Sequence, residues 1–197
     1  RYDFCNCKII WDKWFIVSAL VLIKEVTANN ANVVQVTDCF SSTYSHYYIT
    51  VTDHQPASQR ENNSADFRLI NSSGNIVAQD YDHESIFFRG YSASDSVLEL
   101  GGTSRNDLAI LYSDTNAEGG SGNMVMYIYN PYANDKYTFV THQASGTMSY
   151  QSTTEKGYMQ FGSGVYKSTD RITGFSFTNR DNYNISSGKY RVYGLKD

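Results

Sequence analysis

Proline is scarce in this chain, two residues in 197, against seventeen tyrosines and ten phenylalanines. That balance leaves long stretches free to pair as strands, since proline cannot donate to a ladder and aromatic rings cover a pleated surface well. A helix-length apolar period is missing everywhere after residue 26, which excludes βαβ architectures. Charge is sparse too: 18% of residues are charged, with a net charge of -4 and a pI near 5.5. No Lys/Arg cluster is long enough to track a phosphate backbone, so nucleic acid is not an expected partner. Three cysteines cannot all pair within one chain. Cys5 and Cys7 stand too close for an ordinary zinc ribbon, and no second Cys/His pair with ligand spacing follows, so no metal site and no cofactor is expected. Cys39, just before Phe40, reads as a buried free thiol. The apolar run Trp14 to Ile23 is half the roughly 20 residues that a membrane-spanning helix needs, so no membrane span is expected.

What the chain does contain is a repeating alternation of apolar and polar residues from Ala19 onward, broken at short intervals by Gly, Ser, Asn and Asp. Tyr47, Ile49 and Val51 share one face by the two-residue period, as do Phe67 with Leu69, Met124 with Met126 and Ile128, and Phe175 with Phe177. Tyr137 with Phe139, Met159 with Phe161, and Tyr190 with Val192 follow the same rule. Ser72 to Asn75 reads as a hairpin turn, Gly101-Gly102 as another turn, and His54 to Ser64 as a polar loop containing Pro56. About a dozen short strands predict an all-β fold, an antiparallel two-sheet sandwich of jelly-roll type, in a single domain over 19–197.

Residues 1–18 differ in kind. They hold both tryptophans and two of the three cysteines, and no methionine precedes Met124. They read as an N-terminal extension, either not native or an assembly arm in which Trp11, Trp14 and Phe15 would meet another subunit. A secretory signal is the weaker reading, because Asp12 interrupts the basic flank and no small-residue cleavage site closes the run.

Candidate chemistry is thin. Asp80, Asp82 and Glu84 flank His83 and would offer carboxylates to a cation, yet the turn glycine and distal Glu of a calcium loop are missing. A solvated acidic strand edge that deters edge pairing is the plainer reading. The four histidines are scattered and no serine sits in a G-x-S-x-G context, so no hydrolytic triad is expected. In YIYNPY, Pro131 ends a strand and leaves Tyr129 and Tyr132 near a loop, where tyrosines can serve as sugar-stacking platforms.

Four blocks carry a resemblance. Ala19 to Ala28 (ALVLIKEVTA), Phe40 to Asp53 (FSSTYSHYYITVTD), Asp66 to Asn75 (DFRLINSSGN) and Gly188 to Leu195 (GKYRVYGL) resemble small virion proteins of marine tailed bacteriophages. The resemblance implies a non-enzymatic structural protein of the virion, a capsid decoration or a tail or fibre component. Such a protein would act as a homo-oligomer and through other virion proteins, with host-surface glycan as a possible ligand in host attachment. The rival expectations are a carbohydrate-binding receptor-recognition module and a secreted bacterial adhesin or matrix protein.

Overall fold

The computed structural model describes residues 20–57, 64–89, 96–112, 120–149, 155–180 and 183–196. These form twelve strands: β1 (Leu20–Ala31), β2 (Val33–Val36), β3 (His46–Pro56), β4 (Ser64–Asn71), β5 (Tyr81–Arg89), β6 (Ser96–Arg105), β7 (Ala109–Tyr112), β8 (Gly122–Tyr129), β9 (Thr138–Ser149), β10 (Glu155–Tyr166), β11 (Ile172–Asn179) and β12 (Ile185–Leu195). All pairings are antiparallel. Among the described residues no helix is long and apolar enough to cross a membrane.

Two sheets face each other. The small one runs β2-β11-β4-β7, and the large one β1-β12-β3-β8-β9-β10-β5-β6. The first four strands of the large sheet and the four of the small sheet interleave along the chain as two Greek keys, so the expected jelly roll is present. Two hairpins are added to it. β5-β6 and β9-β10 extend the large sheet beyond β8, doubling its width on one side only.

An aromatic layer closes the sandwich. Phe67, Phe175 and Phe177 project from the small sheet and are fully buried, as the alternation predicted. Phe67 stands 5.3 Å from both Phe175 and Phe177. Phe177 reaches across to Tyr190 of the large sheet at 5.4 Å, and Phe40 meets Tyr47 edge-on at 4.7 Å. Such pairs add about 0.5–1.5 kcal/mol beyond the area they bury. Cys39 is free and buried beside this layer, and burial pushes its thiol up to about 12.

Several expectations need correction. The polar segment from His54 is not loop at its start, because β3 continues to Pro56 and His54 is fully buried. Its imidazole is held between the sheets: Nδ1 lies 2.7 Å from the Tyr190 hydroxyl and Nε2 lies 3.3 Å from Asn179 Oδ1. The Asn179 amide donates to the carbonyls of Tyr183 and Asn184, so its Oδ1 accepts. Nε2 of His54 therefore carries the proton and Nδ1 accepts from Tyr190. Gly101 and Gly102 lie inside β6 rather than at a turn, because the strand passes so close to β5 that a Cβ on Gly101 would stand 2.1 Å from the His83 carbonyl oxygen. Ser72 to Asn75 is a turn as expected: Asn71 Oδ1 accepts from the amides of Ser73 and Asn75, and Gly74 adopts φ 81°.

Truncating Phe175 to alanine should cost about 3–5 kcal/mol, because the ring is fully enclosed by aromatic neighbours that cannot collapse into the space. A urea-unfolding midpoint unchanged from wild type would place that ring outside the core.

Candidate functional site

The widened sheet has an outer face that no other element among the described residues covers. Its side chains follow the pleat: His46, Tyr48, Thr50 and Thr52 from β3; Asn123, Val125, Tyr127 and Tyr129 from β8; Phe139, Thr141, Gln143 and Ser145 from β9; Met159, Phe161, Ser163 and Val165 from β10. None of these is an Asp, Glu, Lys or Arg. Formal charge is confined to the flanks, where Arg191 on β12 pairs with Glu25 on β1 at 2.6 Å, and Asp82 on β5 pairs with Lys167 at 2.9 Å.

Register builds an aromatic row across this face. Tyr193 lies opposite Tyr48, and Tyr48 opposite Tyr127. Their ring centroids are 6.1 Å and 5.0 Å apart. Burial pushes the Tyr48 hydroxyl above its ordinary value, with Tyr127 and Tyr193 adding to the effect. Beyond Tyr127 the surface is apolar: Phe139, Met159 and Phe161 are 47%, 50% and 39% exposed, and Ile86 and Phe88 on β5 continue the patch.

The alternation read in β9 and β10 holds, and the side that carries Phe139, Met159 and Phe161 is the outer one. Their larger apolar residues point to solvent while the inner face takes Val140, His142 and Ala144 on β9 and Tyr158 and Gln160 on β10. The inner face is partly polar, and β7 at the edge of the small sheet packs against it. Gln160 Nε2 donates to Ser85 Oγ at 2.9 Å, and both ring nitrogens of His142 are buried without a hydrogen-bond partner among the described residues. Gly162 makes room for that ring, since a Cβ there would stand 2.4 Å from His142 Cε1.

Above His142 the outer face dips into a groove of about 410 Å³ lined by Tyr48, Tyr127, Thr141, Gln143 and Phe161. A neighbouring depression of about 300 Å³ shares Val125, Gln143 and Phe161 and adds Thr50, Thr52, Asn123 and Met159. Asn123 Oδ1 accepts from the Asp53 amide, which leaves its NH2 as a donor. Aromatic walls with amide and hydroxyl groups between them suit apolar docking or sugar stacking.

The sequence-derived candidates occupy separate places. Tyr129 ends β8 and meets His46 edge-on at 5.2 Å, while Tyr132 lies in the following turn under Arg171, 5.4 Å from ring centroid to guanidinium. Each ring thus has its own partner, and Tyr132 borders a small depression with Ser42 and Lys136. Of the acidic trio, Asp80 precedes β5 in a left-handed conformation with φ 63°, so it does not continue the face shared by Asp82 and Glu84. Asp82 accepts from Lys167 and from the Ser104 amide, and these two contacts hold its carboxyl below the usual range. Glu84 is exposed, and among the described residues no group of three His, Cys, Asp or Glu could hold a metal ion. Trp11, Trp14 and Phe15 lie outside the described residues. Tyr48, Tyr193 and Phe161 were missed as site residues; their one signal was large apolar side chains alternating with Thr, Gln and Ser.

Burial pushes the imidazoles of His54 and His142 down to about 4, with the nearby His83 adding to the effect at His142. Between pH 6.5 and 4 the unfolded chain therefore binds protons that the folded chain refuses, and stability falls as pH falls through that window. Each histidine contributes about 3 kcal/mol to the loss. Urea midpoints at pH 7, 5.5 and 4.5 should fall in that order, and His142→Gln should flatten the slope; a flat wild-type profile would remove both histidines from the interior.

No protein-family profile matches this chain, and no curated protein matches it.

Proposed function

We propose that this protein is a non-enzymatic structural component of a bacteriophage particle, a capsid decoration or a tail or fibre subunit, that associates with copies of itself and docks on the virion. The observation that carries this reading is the broad uncharged outer face of the large sheet. Depletion of charge with enrichment of Tyr, Phe and Met is the composition of an interface core. A neutral face also suits a second copy of itself, because an isologous contact brings each residue near its own counterpart and a charged patch would repel. The four sequence blocks that resemble phage virion proteins support the particle as the setting. Jelly rolls serve in viral capsid and lectin domains, which is support by fold analogy alone.

A second reading has a specific observation behind it. The groove between Tyr48, Tyr127 and Phe161 places Thr141 and Gln143 where sugar hydroxyls would find partners, as a neutral-glycan receptor module requires.

The two readings separate experimentally. In sedimentation the wild type should be oligomeric, and Tyr127→Glu with Phe161→Glu should give monomer without loss of melting temperature, since both side chains are already exposed. Mass spectrometry of purified particles should find the protein. A monomeric wild type that is missing from particles rejects the assembly reading, and neutral-oligosaccharide binding abolished by Tyr127→Ala would favour the receptor module instead. Assays on polysaccharide and peptidoglycan should show no turnover; hydrolysis lost in Asp82→Asn or Glu84→Gln would make the protein an enzyme.

A further inference from the structure

A second concavity draws on none of the residues of the outer face. β4 carries Asp66 and Arg68, Arg180 follows β11, Arg105 ends β6, and Asp107 lies in the connection to β7. The two carboxylates form the floor, 7% and 4% exposed, and the guanidinium groups form the rim at 24% to 35%. Arg180 donates through Nε to Asp66 and through a terminal nitrogen to Asp107 at 3.2 Å. Arg68 donates to Asp66 at 2.7 Å and to the Asn106 carbonyl at 2.9 Å. Arg105 is different. Among the described residues it comes no closer than 3.5 Å to Asp107, makes no side-chain hydrogen bond, and has no partner for its shielded Nε. The space enclosed is about 420 Å³, with Ser104 and Asn106 completing its wall.

We propose that this concavity binds a carboxylate monoanion on the scale of one acidic sugar residue, with Arg105 as its principal contact. Three guanidinium groups face two carboxylates, with the His83 ring 3.5 Å from Asp107 beneath them, so the rim offers positive charge to an anion. A dianion would bring a second negative charge near Asp66 and Asp107, a repulsion that a monoanion lessens. A planar carboxylate matches the fork of a guanidinium, and the carboxylates below hold Arg68 and Arg180 in place so that little order is lost on binding. Ser104 and Asn106 supply polar groups for the hydroxyls of a uronic acid. A bare acidic side chain from a neighbouring protein would leave those groups unused.

The test is titration of the full chain at pH 7 and low ionic strength with D-glucuronate, D-glucose, acetate and sulfate, followed by calorimetry and by the side-chain Nε–H resonances of the arginines. Glucuronate should shift the Arg105 resonance and bind about tenfold more tightly than glucose or acetate. Arg105→Gln should lose that preference while keeping the wild-type melting temperature, because Arg105 makes no hydrogen bond that the fold needs. Arg105→Lys retains the charge without the fork, and should recover part of the affinity if Arg105→Gln proves unstable. Equal binding of glucose and glucuronate overturns the proposal, as does tighter binding of sulfate, or acetate binding as well as glucuronate. Unaltered glucuronate binding in both Arg105 variants overturns the assignment of the contact.

Discussion

Closure of the two sheets over Phe67, Phe175, Phe177, Tyr47 and Tyr190 is the constraint on which the rest of the molecule depends. Phe67, Phe175 and Phe177 pack together on the small sheet and Phe177 reaches Tyr190 of the large one, so the two inner faces are buried against each other. The hydroxyl of Tyr190 would be costly in that layer without a partner. His54 accepts from it and passes the connection to Asn179 at the end of β11. One hydrogen-bonded chain therefore ties β12 and β3 of the large sheet to β11 of the small one, and it requires His54 to stay neutral.

Once the eight-strand jelly roll is closed, the hairpins β5-β6 and β9-β10 can only lengthen the large sheet, because the small sheet ends at β7. The consequence is asymmetry. The inner side of the extension mixes Phe87, Tyr158 and Tyr166 with Gln160, Ser85 and His142 above β7, while Phe139, Met159 and Phe161 are turned outward. The proposed docking face and the inner polar layer are thus two results of one register. Moving β10 by a single residue would put Phe161 inside and Gln160 outside.

Much of the fold was legible because the two-residue period reports a face directly wherever one side of a strand is buried. Phe175 with Phe177, Met124 with Met126 and Tyr190 with Val192 are all internal, as their spacing suggested. The period cannot say which face is inward when the other also carries large apolar side chains. Phe139, Met159 and Phe161 alternate as cleanly as core residues do, yet they face solvent. The functional candidates were less legible for a related reason. Tyrosines near a proline turn drew attention to Tyr129 and Tyr132, whereas the row of rings comes from β12, β3 and β8, far apart in the chain.

By itself the sequence determined the fold class and the turn at Gly74, and it held no basic cluster. These are local properties, set by side-chain alternation, turn chemistry and composition. Only the tertiary structure decided that His54 is a buried link between sheets, that Gly101 and Gly102 are strand, that Asp80 leaves the acidic face, and that Arg68, Arg105 and Arg180 converge. Each of those depends on which strand lies beside which. Pairing between segments more than a hundred residues apart, such as β3 with β12 or β4 with β11, is selected by the packing of the whole interior and leaves no mark in any one stretch of chain.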